Sequence, residues 1–123
     1  MLTRGIRGAT AVGANTREAI LEATRELLAA MVEANGVKVE DIASAFFTSS
    51  RDLNAEFPAL AARQMGWTDV ALLCGHEMDV PGALRMCLRI LIHVNTEKKA
   101  SEMVHVYLHS AKVLRPDFEG GAG

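Results

Sequence analysis

Leu84-Arg85-Met86-Cys87-Leu88-Arg89-Ile90-Leu91-Ile92-His93-Val94 splits, with period two, into unlike faces. Met86, Leu88, Ile90, Ile92 and Val94 form an unbroken apolar face, and Arg85, Cys87, Arg89, Leu91 and His93 form the other. Such alternation predicts a strand with one face on a core. A second face that met only water would carry Thr, Ser, Lys or Glu. This one carries an arginine two residues to either side of a cysteine. Arginine is the side chain built for planar, bidentate binding of carboxylate or phosphate. The second face is therefore expected to look into a partly dry, anion-binding space, and a small-molecule site is the first hypothesis.

Working outward, Leu2 to Thr10 reads as a first strand kept slim by Gly5 and Gly8. Asn15-Thr16-Arg17-Glu18 resembles a capping box with Asn15 as cap. The helix it opens runs to about Ala34, with Ile20, Leu21, Leu27, Leu28, Met31 and Val32 as its buried stripe. Asn35-Gly36 ends it, glycine standing where a left-handed cap is wanted. Asp41 to Thr48 reads as a second strand, Ala59 to Met65 as a short helix behind Pro58, and Val70 to Cys74 as a third strand. After the long strand come a polar connection and a final strand, Val104 to Val113. The order β-α-β-α-β-β-β predicts a single α/β (α+β) domain over residues 1–117, with a mixed sheet and helices on one face. A Gly-rich tail over 118–123 is expected to be flexible. The sheet face away from the helices stays fairly apolar, which predicts packing against other subunits.

The chain has 123 residues, half of them hydrophobic, and a net charge of −2. No basic run or stripe is present, so nucleic acid is not expected as a partner. Nothing approaches the ~18 apolar residues of a membrane span, and MLTRGIRGAT is no secretion signal, so a cytoplasmic protein is expected. Cys74 and Cys87 are expected to be reduced thiols serving as apolar filler.

Several polar residues could converge. Arg7 lies on the first strand, Cys74, Glu77 and Asp79 at or just past the end of the third, and Arg89 in mid-strand. His105, Tyr107, His109 and Ala111 share one face of the predicted last strand, and Arg115 follows it. One strand arginine alone is ordinarily a surface ion pair. Three arginines, a glutamate and a tyrosine on neighbouring strands are harder to assign to the surface. Cys74-Gly75-His76-Glu77 has no recognised metal-ligand spacing, and no Ser-His-Asp order, P-loop or dinucleotide fingerprint occurs. No metal or cofactor is expected. Residue types and spacing stop at an anion-binding pocket with one carboxylate and one phenol.

The segments RGIRGAT (4–10), FPALAAR (57–63), CGHEMDV (74–80), CLR (87–89) and HVYLHSAKVLRPD (105–117) together resemble the monofunctional chorismate mutases of the trimeric α/β-barrel type. The resemblance implies a homotrimer with a pseudo-barrel core and sites at subunit interfaces, converting chorismate to prephenate. By position, Arg7 would bind a substrate carboxylate and Arg89 would sit beside the ether oxygen of the breaking bond. Glu77 would accept from the ring hydroxyl, with Cys74 close by, and Tyr107 would help hold the side-chain carboxylate. Phe57 and Ala59 would line the pocket from the neighbouring subunit. Arg63 and Arg115 would lie near its entrance, with Leu114 also contacting substrate. Leu60 stands where some relatives carry a basic residue. Two other readings stay open: a trimeric enzyme of the enamine/imine deaminase type, and a non-catalytic module that binds small anions.

Overall fold

In a computed structural model, which describes residues 1–114, the alternating stretch lies at the centre of a five-stranded sheet. The elements are β1 (Leu2–Ala11), α1 (Arg17–Asn35), β2 (Ile42–Ser49), α2 (Ala59–Gln64), β3 (Ala71–His76), β4 (Cys87–Thr96) and β5 (Val106–Tyr107). Short 3₁₀ turns occupy Val39–Asp41, Ala100–Glu102 and His109–Leu114. The order across the sheet is β3-β2-β4-β1-β5. Central β4 runs antiparallel to β1 and β2, while β3 and β5 pair parallel at the two edges. This is the mixed sheet and α+β class that the pattern predicts.

The apolar face of β4 meets the helices. Leu88, Ile90, Ile92 and Val94 are buried, whereas Arg89, Leu91 and His93 are half-exposed. Leu27, Leu28 and Met31 of α1 and Ala59 and Ala62 of α2 join Ile6, Ala45, Phe47, Ile90 and Ile92 in one core. Gly8 allows the close approach, since a Cβ there would collide with Met31 Sδ. Gly36 ends α1 in the left-handed region at φ 60°, as its position predicts. The opposite sheet face is open. Phe46 is 42% and Leu73 63% exposed on it. No helix among the described residues is long and apolar enough to cross a membrane.

Three local expectations are corrected. The cap of α1 is Thr16, whose Oγ1 accepts from Ala19 N, and Asn15 is not the cap. Asn15 Oδ1 instead accepts from the amides of Asn54 and Ala55, across the loop before α2. β4 begins at Cys87 rather than Leu84, because Met86 takes a left-handed φ of 50° that breaks extension. The last strand is two residues long, and a φ of 54° at His109 turns the chain into a 3₁₀ turn. His109 therefore leaves the face of Tyr107 and pairs with Glu26 on α1 at 3.0 Å. Arg115 and the 118–123 tail lie outside the described residues.

Candidate active site

Strand register brings the chemistry together. Thr48 on β2 pairs with Arg89 on β4, Arg89 with Ala9 on β1, and Ala9 with Tyr107 on β5. These residues form one row across the sheet, with Arg89 and Tyr107 two strand spacings apart, or ~10 Å. The small Ala9 between them leaves room. The next row on the same face carries Arg7, Leu91 and Phe46. The result is a cavity of about 300 Å³ lined by Arg7, Thr48, Glu77, Arg89, Leu91 and Tyr107, among others.

Glu77 enters from just beyond β3, where its amide donates to Ser49 O at 2.8 Å. Its carboxylate lies 3.5 Å from Arg89 Nε and accepts a hydrogen bond from Thr48 Oγ1. Arg7 and Arg89 against Glu77 leave the cavity with one net positive charge. Two buried side-chain polar atoms among the described residues have no hydrogen-bond partner, Arg89 Nε and Tyr107 Oη. Both residues line this cavity. Buried polar groups are nearly always hydrogen-bonded, so two residues with unsatisfied atoms on the wall of one cavity mark it as a candidate ligand site.

The other candidates lie elsewhere. Phe57 and Cys74 line a second cavity of about 380 Å³ with Pro58 and His76, and Phe57 is 69% exposed there. Ala59 is buried in the core at the start of α2 rather than on a cavity wall. Arg63 is exposed on α2, close enough to act electrostatically on Cys74. Leu114 packs on the cluster of Ala9, Tyr107 and Ala111, and shares a further hollow with Glu77 and Arg89. Asp79 makes an exposed ion pair with Arg51 at 3.8 Å. Burial pushes both the Cys74 and Cys87 thiols above their ordinary range, which disfavours thiolates. Among the described residues no group of three His, Cys, Asp or Glu side chains is placed to hold a metal.

Two residues with a bearing on the site escaped the sequence reading. Thr48 looked like one more strand residue, and only its register beside Arg89 shows that it orients Glu77. His105 shares the face of Tyr107 in the sequence pattern, and no motif marks it. Its Nδ1 accepts from Arg7 N at 2.9 Å, tying the two-residue strand β5 to β1. That bond needs a neutral ring. Burial, and then the Arg7 charge, hold the His105 pKa below its ordinary value. The neutral ring's contribution to stability is therefore complete above ~pH 6.5 and is lost as pH falls through the lowered value. His105→Asn keeps an acceptor that cannot be protonated. Melting temperature followed against pH is expected to drop less steeply on the acid side for this variant, and identical slopes would contradict the assignment.

Residues 3–118 match the family described as chorismate mutase type I. The chain is 44% identical over 118 residues to chorismate mutase AroH of Bacillus subtilis, covering 95% of this chain and 93% of that protein. It is 49% identical over 119 residues to chorismate mutase AroH of Thermus thermophilus, covering 96% and 98%. A solved chorismate mutase from Clostridium thermocellum superposes with a TM-score of 0.87 at 52% identity, over 89% of this chain and 97% of that one. This chain belongs to the chorismate mutase type I family.

Proposed function

We propose that the chain rearranges chorismate to prephenate in the cavity that joins Arg7, Glu77, Arg89 and Tyr107. The observation that carries this reading is that one cavity is lined by two arginines, a carboxylate and a phenol, with Arg89 Nε and Tyr107 Oη left without hydrogen-bond partners. Chorismate is a dicarboxylate, and the cavity's surplus positive charge suits it. The reaction is an intramolecular [3,3] shift. One carbon–oxygen bond breaks as one carbon–carbon bond forms within the same molecule, so no nucleophile, proton shuttle or metal has a step to perform. In the transition state the ether oxygen gains negative charge and the ring carbons become relatively positive. Arg89 stabilises the oxygen, and Glu77, ion-paired beside it at 3.5 Å, accepts from the ring hydroxyl. Neither group reorganises, because the sheet and Thr48 already hold both. Arg7 and Tyr107 hold the carboxylate of the flexible side chain in its compact, reactive shape. A deaminase of similar outline would explain an arginine in a pocket but not the set Glu77, Arg89 and Tyr107.

The working unit in this reading is a homotrimer in the cytoplasm. Support for assembly comes from the open sheet face with Phe46 and Leu73 exposed, too apolar for water alone. Further support comes from the separation of Phe57 and Cys74 into a cavity of their own. Assembly would set that cavity against a neighbour's Arg89. Light scattering is expected to report three chain masses, and an active monomer would contradict the shared site.

The function itself is tested by adding purified protein to chorismate and following its absorbance. The expected result is a catalysed fall with prephenate as the sole product. Tight binding without turnover would favour the anion-binding module instead.

A further inference from the structure

We propose that Asp52 is a positioning residue that sets the aim of Arg89 by holding the backbone turn at Met86. The inference rests on the rearrangement reading, through the role given there to Arg89. Met86 is not glycine, yet its φ is 50°. L residues adopt that region reluctantly, and such strain persists only where the surroundings enforce it. Met86 stands immediately before β4, and Arg89 is the third residue beyond it.

The enforcement is visible. Both carboxylate oxygens of Asp52 lie 3.1 Å from Met86 N and accept from it. Ser50 Oγ donates to Asp52 Oδ1 and itself accepts from Cys87 N at 2.9 Å. Ser50 N donates to Cys87 O at 2.9 Å, and Val12 N donates to Met86 O at 2.8 Å. Residues 86 and 87 are thus pinned on both sides. Met86 N–H, turned out of line by the positive φ, is served by Asp52. If the turn relaxed, Met86 and Cys87 could extend, and the start of β4, on which Arg89 is the third residue, would shift against β1 and β2 and move the guanidinium off its aim.

Asp52 is not a substrate ligand in this account. It is exposed, and an anion there would repel a dianion. It borders a separate cavity of about 430 Å³ that Glu77 and Arg89 also touch, so the guanidinium stands between the two spaces. The Ser50 hydroxyl above all holds the Asp52 carboxyl below its ordinary pKa; burial opposes it, and the Met86 and Asp52 amides and the Arg85 charge add to it. The group is therefore engaged as a carboxylate at neutral pH.

The test uses the full chain and measures kcat and KM for chorismate in Asp52→Ala, Asp52→Asn and Asp52→Ala/Met86→Gly. Asp52→Ala is made both alone and combined with Arg89→Lys. Asp52→Ala is expected to lower kcat about tenfold or more with little change in KM, the cost of a misplaced catalytic group. Asp52→Asn keeps an acceptor and is expected to retain most activity. Met86→Gly is expected to restore most of the kcat lost in Asp52→Ala, because glycine takes the left-handed conformation unaided. Combined with Arg89→Lys, Asp52→Ala is expected to have less than about a twofold further effect, since the aim of the original guanidinium no longer matters. Equal losses in both backgrounds, or a folded Asp52→Ala with unchanged kcat, would overturn the proposal. If Asp52→Ala alone fails to fold, Asp52→Ala/Met86→Gly decides: near-native kcat supports the proposal, and a tenfold loss overturns it. Native kcat in Arg89→Lys alone would instead contradict the placement of Arg89 at the ether oxygen, on which this inference rests.

Discussion

Arg89→Lys is expected to fold and assemble normally and to lose roughly 10²–10³ in kcat, about 2.7–4 kcal/mol of transition-state stabilisation. Lysine keeps the charge but loses the planar fork and moves the cation. Arg89 is held near the start of β4 between Thr48 and Ala9, so its guanidinium has a defined place, with the Glu77 carboxylate 3.5 Å from Nε and no hydrogen bond to Nε. Charge develops on the ether oxygen only as the bond breaks, so the loss is expected in kcat more than in KM. Arg89→Ala, which removes the charge, is expected to be nearly inactive. Arg7→Ala is expected to show the opposite balance, because the carboxylate it holds is equally charged before and during reaction. Steady-state kinetics on the three variants separate the roles, and a near-native kcat in Arg89→Lys would make Arg89 only an anchor.

The second large effect concerns the fold and not the chemistry. Phe47 is wholly buried on β2, pointing into the core beneath the helices, while its neighbour Thr48 faces the site. Phe47→Ala is expected to cost about 3–5 kcal/mol, the loss of transfer energy plus the cavity left behind. That is a large part of the ~5–15 kcal/mol by which a domain is stable. Denaturant unfolding is expected to show a midpoint shift of that size, with kcat per folded site little changed below the transition. A small midpoint shift would mean that the core repacks around the gap.

The parts of the fold that could be read early are those written in local periodicity. The alternation in β4 and the stripe on α1 each depend on one element alone, and both faces lie where the pattern puts them. What escaped depends on contacts distant in sequence. Asn15 and Thr16 are both good caps, and the loop at Asn54 and Ala55 decides between them by claiming Asn15. Nothing in Val104 to Val113 announces that His109 turns the chain after two paired residues. Met86 looked like part of an alternating strand because the carboxylate that bends it is 34 residues away.

The site divides in the same way. Arg7, Glu77, Arg89 and Tyr107 could be singled out by type and by their strands, and register brings all four to one cavity. Phe57 and Cys74 line another. Thr48, Ser50 and Asp52 act through hydrogen bonds across the sheet or the loop, and no motif marks such residues.

The central claim is that the cavity fits the transition state better than it fits chorismate. A rigid bicyclic dicarboxylate that fixes the compact geometry and carries the ether oxygen tests it most directly, with its dissociation constant measured by calorimetry. The account predicts that the protein binds this compound at least about 10²-fold more tightly than chorismate. It also predicts that Arg89→Lys abolishes most of that preference. Equal affinity for the rigid compound and for chorismate, or a preference that survives Arg89→Lys, would contradict the claim.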